Sequence, residues 1–376
     1  MTQGKTTIAG LPAAHAIARQ LAGTAGAPAA FLAGSLVEGF GNATSDIDVY
    51  LVGPGLRRAR EQYAAGHRRI DVHQLSPSDL DAALDRVAAA TLPGDGSAPV
   101  FPEGDLMLLT RLRSGEVVSG DDLVRPRLQR LGELWARLRR LVVFKWLTAA
   151  HAELEDFHGL YDDGDVDAAT LTARSALQAA GKAVAASRDE LHLGQKWVWR
   201  QLARSAPAGF PVAEFGRMTR ADPTGANPGR ADPAGTGPAG AGAGAGVCGS
   251  ARGFAEVTSF VQDCLAAACT LGWQGVGQDT WPYRPPGTAN GCSRVPGYYP
   301  RAFDDAVVLT RPAARRIRLR PDVALVWAMC DGADENTVAA RIEPLRDRCV
   351  VYRDLGDDRR RQIIAKLAGA GLLTIG

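Results

Sequence analysis

The chain has 376 residues, enough for two or three domains at about 100–200 residues each. Hydrophobic residues make up 46% and charged residues 22%, which excludes wholesale disorder, and no run approaches the roughly eighteen apolar residues of a membrane span. With 43 basic and 41 acidic residues, the net charge of +2 is too small for a strong non-specific hold on nucleic acid.

Residues 11–22 read as a short amphipathic helix. The alanine-rich opening does not make a secretory h-region, because His15, Arg19 and Gln20 interrupt it. The cysteines (Cys248, Cys264, Cys269, Cys292, Cys330 and Cys349) contain no C-x-x-C pair, and the histidines do not cluster near them. All lie in the C-terminal third, which favours free thiols in a reducing cytoplasm.

Residues 31–33, 47–53 and 68–75 are expected to be strands. In Ile47–Val52 and Ile70–His73, apolar and polar side chains largely alternate, as in a half-buried strand. From about 79 to 205 the pattern turns helical. Leu128, Leu131, Leu134, Trp135, Leu138, Leu141 and Val142 predict the buried stripe of one long helix, and further helices are expected at 167–188 and 194–204, with breaks at Gly164 and Gly194. Residues 206–250 differ in kind: Ala221–Gly246 has no large apolar residue, cannot offset its ordering entropy and predicts a flexible excursion. Helical character resumes at 254–271. Residues 272–303, with Trp273, Trp281 and Tyr298-Tyr299-Pro300, read as a connector with aromatic anchor points, and 304–376 as a separate small module.

The chemistry concentrates near the N-terminus. Phe31-Leu-Ala-Gly34-Ser35 ends a strand in Gly-Ser, where a helix can begin and where backbone amides with a serine hydroxyl make a phosphate cradle. About ten residues on, Ser45-Asp46-Ile47-Asp48-Val49 opens the next strand. Period-two geometry puts Asp46 and Asp48 on one face, where two carboxylates repel unless a cation sits between them. Oxygen-only ligands beside a phosphate cradle suit Mg²⁺. Asp71, between Ile70 and Val72, is placed to supply a third carboxylate and complete a two-metal site. His73 shares its face and reads as a supporting or structural histidine.

Gly34-Ser35, the Gly39-Phe40-Gly41 stretch, Asp46, Asp48 and, on a later strand, Asp71 resemble the nucleotidyltransferase (DNA polymerase β-like) superfamily signature. The resemblance implies an α+β architecture. A small mixed-sheet nucleotidyltransferase palm over 1–100 would be followed by a helical bundle over 101–271 that contains the 206–250 excursion. A bundle directly after a minimal palm is similar to the small-molecule nucleotidyltransferases, aminoglycoside adenylyltransferases among them, and Leu193-Gly-Gln-Lys-Trp-Val-Trp-Arg200 resembles a segment of such bundles. In that family the bundle supplies basic groups to a triphosphate. Only Lys5, Lys145, Lys182, Lys196 and Lys366 are lysines, and Lys182 and Lys196 are the candidates for phosphate contact, with a solvated helix charge as the alternative for each. Glu153, Glu155 and Asp156 are candidate general bases, though helical acids are commonly solvated. Trp197 and Trp199 read as core or hinge packing.

The C-terminal segment orders a short hairpin around Val307–Leu309, a helix with Trp327 that ends at Asp331-Gly332, a helix opened by Thr337-Val338, and a closing Leu372-Leu373. That order is similar to PqqD-like peptide-recognition domains, winged-helix-like modules that bind a leader peptide along a sheet edge; an ordinary winged-helix or dimerisation domain is the alternative.

Together these residues imply a cytoplasmic enzyme that moves a nucleoside monophosphate, AMP from ATP, onto a hydroxyl of a small-molecule or peptide-linked acceptor and releases pyrophosphate. Asp46, Asp48 and Asp71 would hold two Mg²⁺ ions, and Gly34, Ser35, Ser45, Lys182 and Lys196 would bind the nucleotide. The alternatives are a protein AMPylase of antitoxin type, usually much shorter, and a non-catalytic nucleotide-sensing scaffold that binds peptide.

Overall fold

The computed structural model describes residues 11–42, 44–65, 68–95, 101–220, 251–279, 281–283, 291–311 and 316–376. It is α+β, and it divides into two compact units. The first comprises residues 1–91, 99–141 and 191–200, and the second residues 92–98, 142–190 and 201–376.

In the first unit, helix α1 (Leu11–Ala25) and strands β1 (Ala29–Ala33), β2 (Ile47–Val52), β3 (Ala59–Ala65) and β4 (Arg68–Leu75) follow one another. Next come α2 (Pro77–Ala89), α3 (Glu103–Ser114), β5 (Glu116–Ser119) and α4 (Asp121–Glu133). The five strands form one sheet in the order β3-β4-β2-β1-β5. β2 and β4 run parallel and the other neighbours antiparallel, so the sheet is mixed. Ala14, Ala18 and Ala22 lie four apart on α1, and this small-residue stripe seats the helix in a core with Leu32, Ile47, Val49, Leu51 and Val72. A capping box starts α2: the Ser76 hydroxyl accepts from the Asp79 amide, and the Asp79 carboxylate accepts from the Ser76 amide.

Two strands of this sheet lie outside the predicted set. β3 is an edge strand whose Arg60-Glu61-Gln62 carries no apolar alternation, since one side of the ladder is open to solvent. β5 interrupts the segment expected to be helical throughout. The long leucine-striped helix is also broken: α4 stops at Glu133, and α5 (Trp135–Asp162) begins after a non-helical Leu134. β2 is buried along its whole length, where a half-buried strand was expected. Its polar face is covered by charged partners, as set out below.

The second unit contains α6 (Val166–Ala186), α7 (Val198–Ser205, from Gln201), α8 (Val212–Arg220) and α9 (Ala251–Ala267). Ala169, Ala173, Ala176, Ala180 and Ala183 give α6 a flat, buried face, which allows close approach of its neighbours α8 and α9. Val212–Arg220 was placed in the flexible excursion, but it is a helix whose Phe215 and Met218 are buried. Residues 221–250, the rest of that excursion, lie outside the described residues.

β6 (Cys292–Arg294), β7 (Tyr299–Ala302), β8 (Val307–Thr310) and β9 (Ile317–Leu319) come next. They are followed by α10 (Pro321–Met329), β10 (Asp331–Ala333), α11 (Glu335–Arg348), α12 (Asp357–Gly369) and β11 (Leu373–Ile375). β7, β8 and β9 form one antiparallel sheet, and β6 lies between β10 and β11 in another. The expected boundary between connector and module at 303/304 therefore moves towards the N-terminus, because β6 is the middle strand of a sheet whose edges come from 331–375. β6 is also tied to α9 by the buried ion pair of Arg294 with Asp263. Among the described residues, five cysteines are unbonded thiols and no helix is long and apolar enough to cross a membrane.

Candidate active site

The three acids picked out in the sequence meet at one end of the β2–β4 pair. Parallel register places Asp48 beside Asp71, and Asp46 stands one residue before the first paired position, Ile47 with Ile70. Asp48 and Asp71 are buried and Asp46 is half-buried. Buried carboxylates need partners. Arg111 on α3 meets Asp48 Oδ1 at 3.1 Å, Arg60 on β3 meets Asp71 Oδ2 at 2.8 Å, and Arg69 on β4 donates to Asp46 Oδ2. The Arg69 Nε also stands 3.5 Å from Asp71 Oδ1, so one guanidinium serves two acids.

An aromatic stack backs this corner. Tyr50 lies between Phe31 and His73, with ring centroids 4.6 and 4.4 Å away and nearly parallel planes. The Tyr50 hydroxyl accepts from Arg111 at 2.7 Å; burial pushes the hydroxyl up to about 12, against the opposing pull of that guanidinium. His73 Nε2 is 3.8 Å from Asp48 Oδ1 and, although buried, has no hydrogen-bond partner among the described residues.

Gly34 adopts φ +81°, and a Cβ there would lie 2.0 Å from Asp48 Oδ2. The expected helix does not start after Gly34-Ser35. A run of tight turns takes its place, in which the Ser35 carbonyl accepts from the amides of both Phe40 and Gly41. Ser45 is spent on this loop: its hydroxyl accepts from the Asn42 amide at 2.8 Å and donates to the Asn42 side chain at 3.2 Å, which fixes the chain just before Asp46.

Residues 191–200 return to this loop within the same unit. His192 Nδ1 pairs with Glu38 Oε1 at 2.9 Å, Phe40 packs against His192 and Trp197, and Arg200 donates to the Phe40 carbonyl. Lys196, exposed, lies over the Trp197 ring at 5.2 Å and so stands on the loop side of the first unit. Lys182 belongs to the second unit, where it is 1% exposed, bonded to Gln201 and placed over the Trp146 ring at 5.2 Å. Glu153, Glu155 and Asp156 also lie there, on α5. Glu155 and Asp156 are exposed, while burial and then the nearby Asp156 raise the Glu153 carboxyl above its ordinary value.

Sequence reasoning missed the arginines. Arg69 was legible in principle, since two residues from Asp71 it must share that strand face. Arg111 was not, because it arrives from a helix whose docking only the fold reveals. Among the described residues no three His, Cys, Asp or Glu side chains gather closely enough to hold an ion. The donor type nevertheless fits a hard divalent cation: three carboxylates, one buried oxygen (Asp71 Oδ1) that lacks a hydrogen bond among the described residues, and a guanidinium already between two of them. No protein-family profile matches the chain, and no curated protein is significantly similar to it.

Proposed function

We propose that the chain is a Mg²⁺-dependent nucleotidyltransferase that moves a nucleoside monophosphate, AMP from ATP, onto an acceptor hydroxyl. The observation that carries the reading is the side-by-side register of Asp48 and Asp71, with Asp46 at the strand opening and Gly34 beneath Asp48. On this reading the five-stranded mixed sheet is the palm. Asp46, Asp48 and Asp71 would hold two Mg²⁺ ions, which supply charge neutralisation of the triphosphate and a lowered pKa for the attacking hydroxyl.

The chain's own residues do the rest. The Ser35 amide and hydroxyl, at the Gly34-Ser35 turn, bind phosphate oxygens, while the amides of residues 38–41 donate within the loop and brace it; Lys196 and Arg200, held beside that loop by the Phe40–Trp197 stack, add positive charge. Tyr50, stacked on His73, holds the Arg111 guanidinium that in turn meets Asp48. Ser45 orients the backbone into Asp46. Lys182, buried in the second unit, must leave its bond to Gln201 to contact phosphate as proposed.

The C-terminal strands and helices support a winged-helix, PqqD-like reading. Trp327 is wholly buried in α10, and α10, β10, α11, α12 and β11 succeed one another as that reading requires. A peptide-linked acceptor would then be delivered by a leader peptide added along a sheet edge.

The test is pyrophosphate release from each of the four NTPs with Mg²⁺ and pooled small-molecule and peptide acceptors. Release from one NTP that depends on an acceptor and disappears in Asp46→Asn and Asp48→Asn is the expected result. Release equal to that of both variants in every pool, with nucleotide still bound, would favour the non-catalytic scaffold; modification of a co-expressed protein alone would favour an AMPylase.

A further inference from the structure

Arg69 has no part in the chemistry above, yet two of the three acids meet at its guanidinium. Residues 69 and 71 share a face of β4, and the Ile47–Ile70 register sets Asp46 next to Arg69. The guanidinium donates to Asp46 Oδ2 and lies 3.5 Å from Asp71 Oδ1, too far for a hydrogen bond. That same Oδ1 is buried and has no hydrogen-bond partner among the described residues, while Arg60 satisfies Oδ2 at 2.8 Å. Asp71 is therefore bound firmly through one oxygen and only loosely through the other. The Arg69 side chain is 51% exposed, so it can leave into water without unpacking the core.

The geometry points to Arg69 as a displaceable internal counter-ion, which holds Asp46 and Asp71 in the metal-free protein and competes with a divalent cation for them. The inference rests on the acidic site proposed above. Binding of the cation releases the guanidinium, and a triphosphate that arrives with the metal gives it a new anionic partner. Metal and nucleotide then bind more tightly together than either does alone.

Mn²⁺ titration of the full chain, followed by the EPR signal of free Mn²⁺, tests this without any turnover. Arg69→Gln should bind Mn²⁺ about fivefold more tightly than wild type, the effect of losing one partly exposed ion pair. Arg69→Lys keeps the charge, but its single ammonium cannot serve two carboxylates as a guanidinium does, so it should also bind more tightly. Arg130→Gln, which removes the partner of Asp85 on the surface, should leave affinity unchanged. In EDTA the melting temperature of Arg69→Gln should fall, and added Mn²⁺ should raise it further than it raises wild type. Should Arg69→Gln not fold, Arg69→Lys carries the same comparison.

Wild-type affinity in both Arg69 variants overturns the inference, and so does an Arg69→Lys that matches wild type while Arg60→Gln matches Arg69→Gln, since general positive charge would then suffice. In those cases, Mn²⁺ binding by wild type that is lost in Asp46→Asn and Asp48→Asn leaves the acidic site itself standing. Wild-type binding that is absent, or unchanged in those two variants, removes the site and the inference together.

Discussion

The Asp48 carboxylate fills the space that a side chain on Gly34 would need. A Cβ on Gly34 would stand 2.0 Å from Asp48 Oδ2 and 2.9 Å from its carboxyl carbon. The glycine thus does two things: it takes the left-handed backbone that ends β1, and it lets an acid from the next strand lie directly against the loop.

Gly34→Ala should accordingly cost more than its backbone strain. The left-handed conformation alone costs a residue with a Cβ about 1–2 kcal/mol, and the collision must also push Asp48 away. Urea unfolding should show a loss of at least that size. Mg²⁺-dependent pyrophosphate release by the folded fraction should fall much further than the stability does; activity that tracks the folded fraction would mean Asp48 tolerates displacement.

Phe40→Ala should loosen the whole turn-rich loop. Phe40 is buried between His192 and Trp197, and removing a buried phenyl ring costs about 3–5 kcal/mol. Limited proteolysis should then cut near residues 36–42 or 192–197, sites that resist in wild type.

Lys196→Ala should raise the KM for NTP about tenfold and leave kcat within a few-fold, as expected when a charged contact is made equally in ground and transition states. A fall in kcat at unchanged KM would place Lys196 at the transferring phosphoryl group.

The acidic motif was readable because strand period and spacing alone set it: Asp46, Ile47 and Asp48 must alternate faces, and a third acid beside them needs only a neighbouring strand. The strands at 31–33, 47–53 and 68–75 were readable for the same reason, and the 11–22 helix from its amphipathic pattern. β3 was hidden because an edge strand with Arg60-Glu61-Gln62 buries little and shows no apolar rhythm. β5 was hidden by length, since Glu116-Val-Val-Ser is too short to beat the helical pattern around it. The break at Leu134 escaped because the leucine stripe runs through it unchanged. The pairings of Arg60 and Arg111 depend on which elements dock beside the sheet, and no local pattern encodes that.

His151 in the second unit makes stability depend on pH. Its Nε2 meets the Pro300 carbonyl at 3.0 Å and its Nδ1 the Thr310 hydroxyl at 2.8 Å. Burial, with Arg301 nearby, pushes the imidazole down to about 3, below the ordinary histidine value near 6.5. The unfolded chain therefore takes up a proton that the folded chain refuses. The contribution is fully present above about pH 6.5 and is lost as pH falls towards 3, amounting to about 2 kcal/mol at pH 5. Urea melts at pH 7 and pH 5 should show this loss, and His151→Gln should shrink it; an equal loss in the variant would assign the acid sensitivity elsewhere.

The hold of residues 191–200 on the Phe40 loop bears on how the molecule is made. The loop leaves the ribosome early, but its His192, Trp197 and Arg200 partners follow only after roughly another 150 residues of synthesis. Until then Phe40 and Glu38 go without the contacts that His192, Trp197 and Arg200 make with them. A nascent chain stalled before residue 190 would present an open, protease-sensitive loop beside an otherwise finished sheet, and the corner of the first unit that holds this loop would be among its last parts to set.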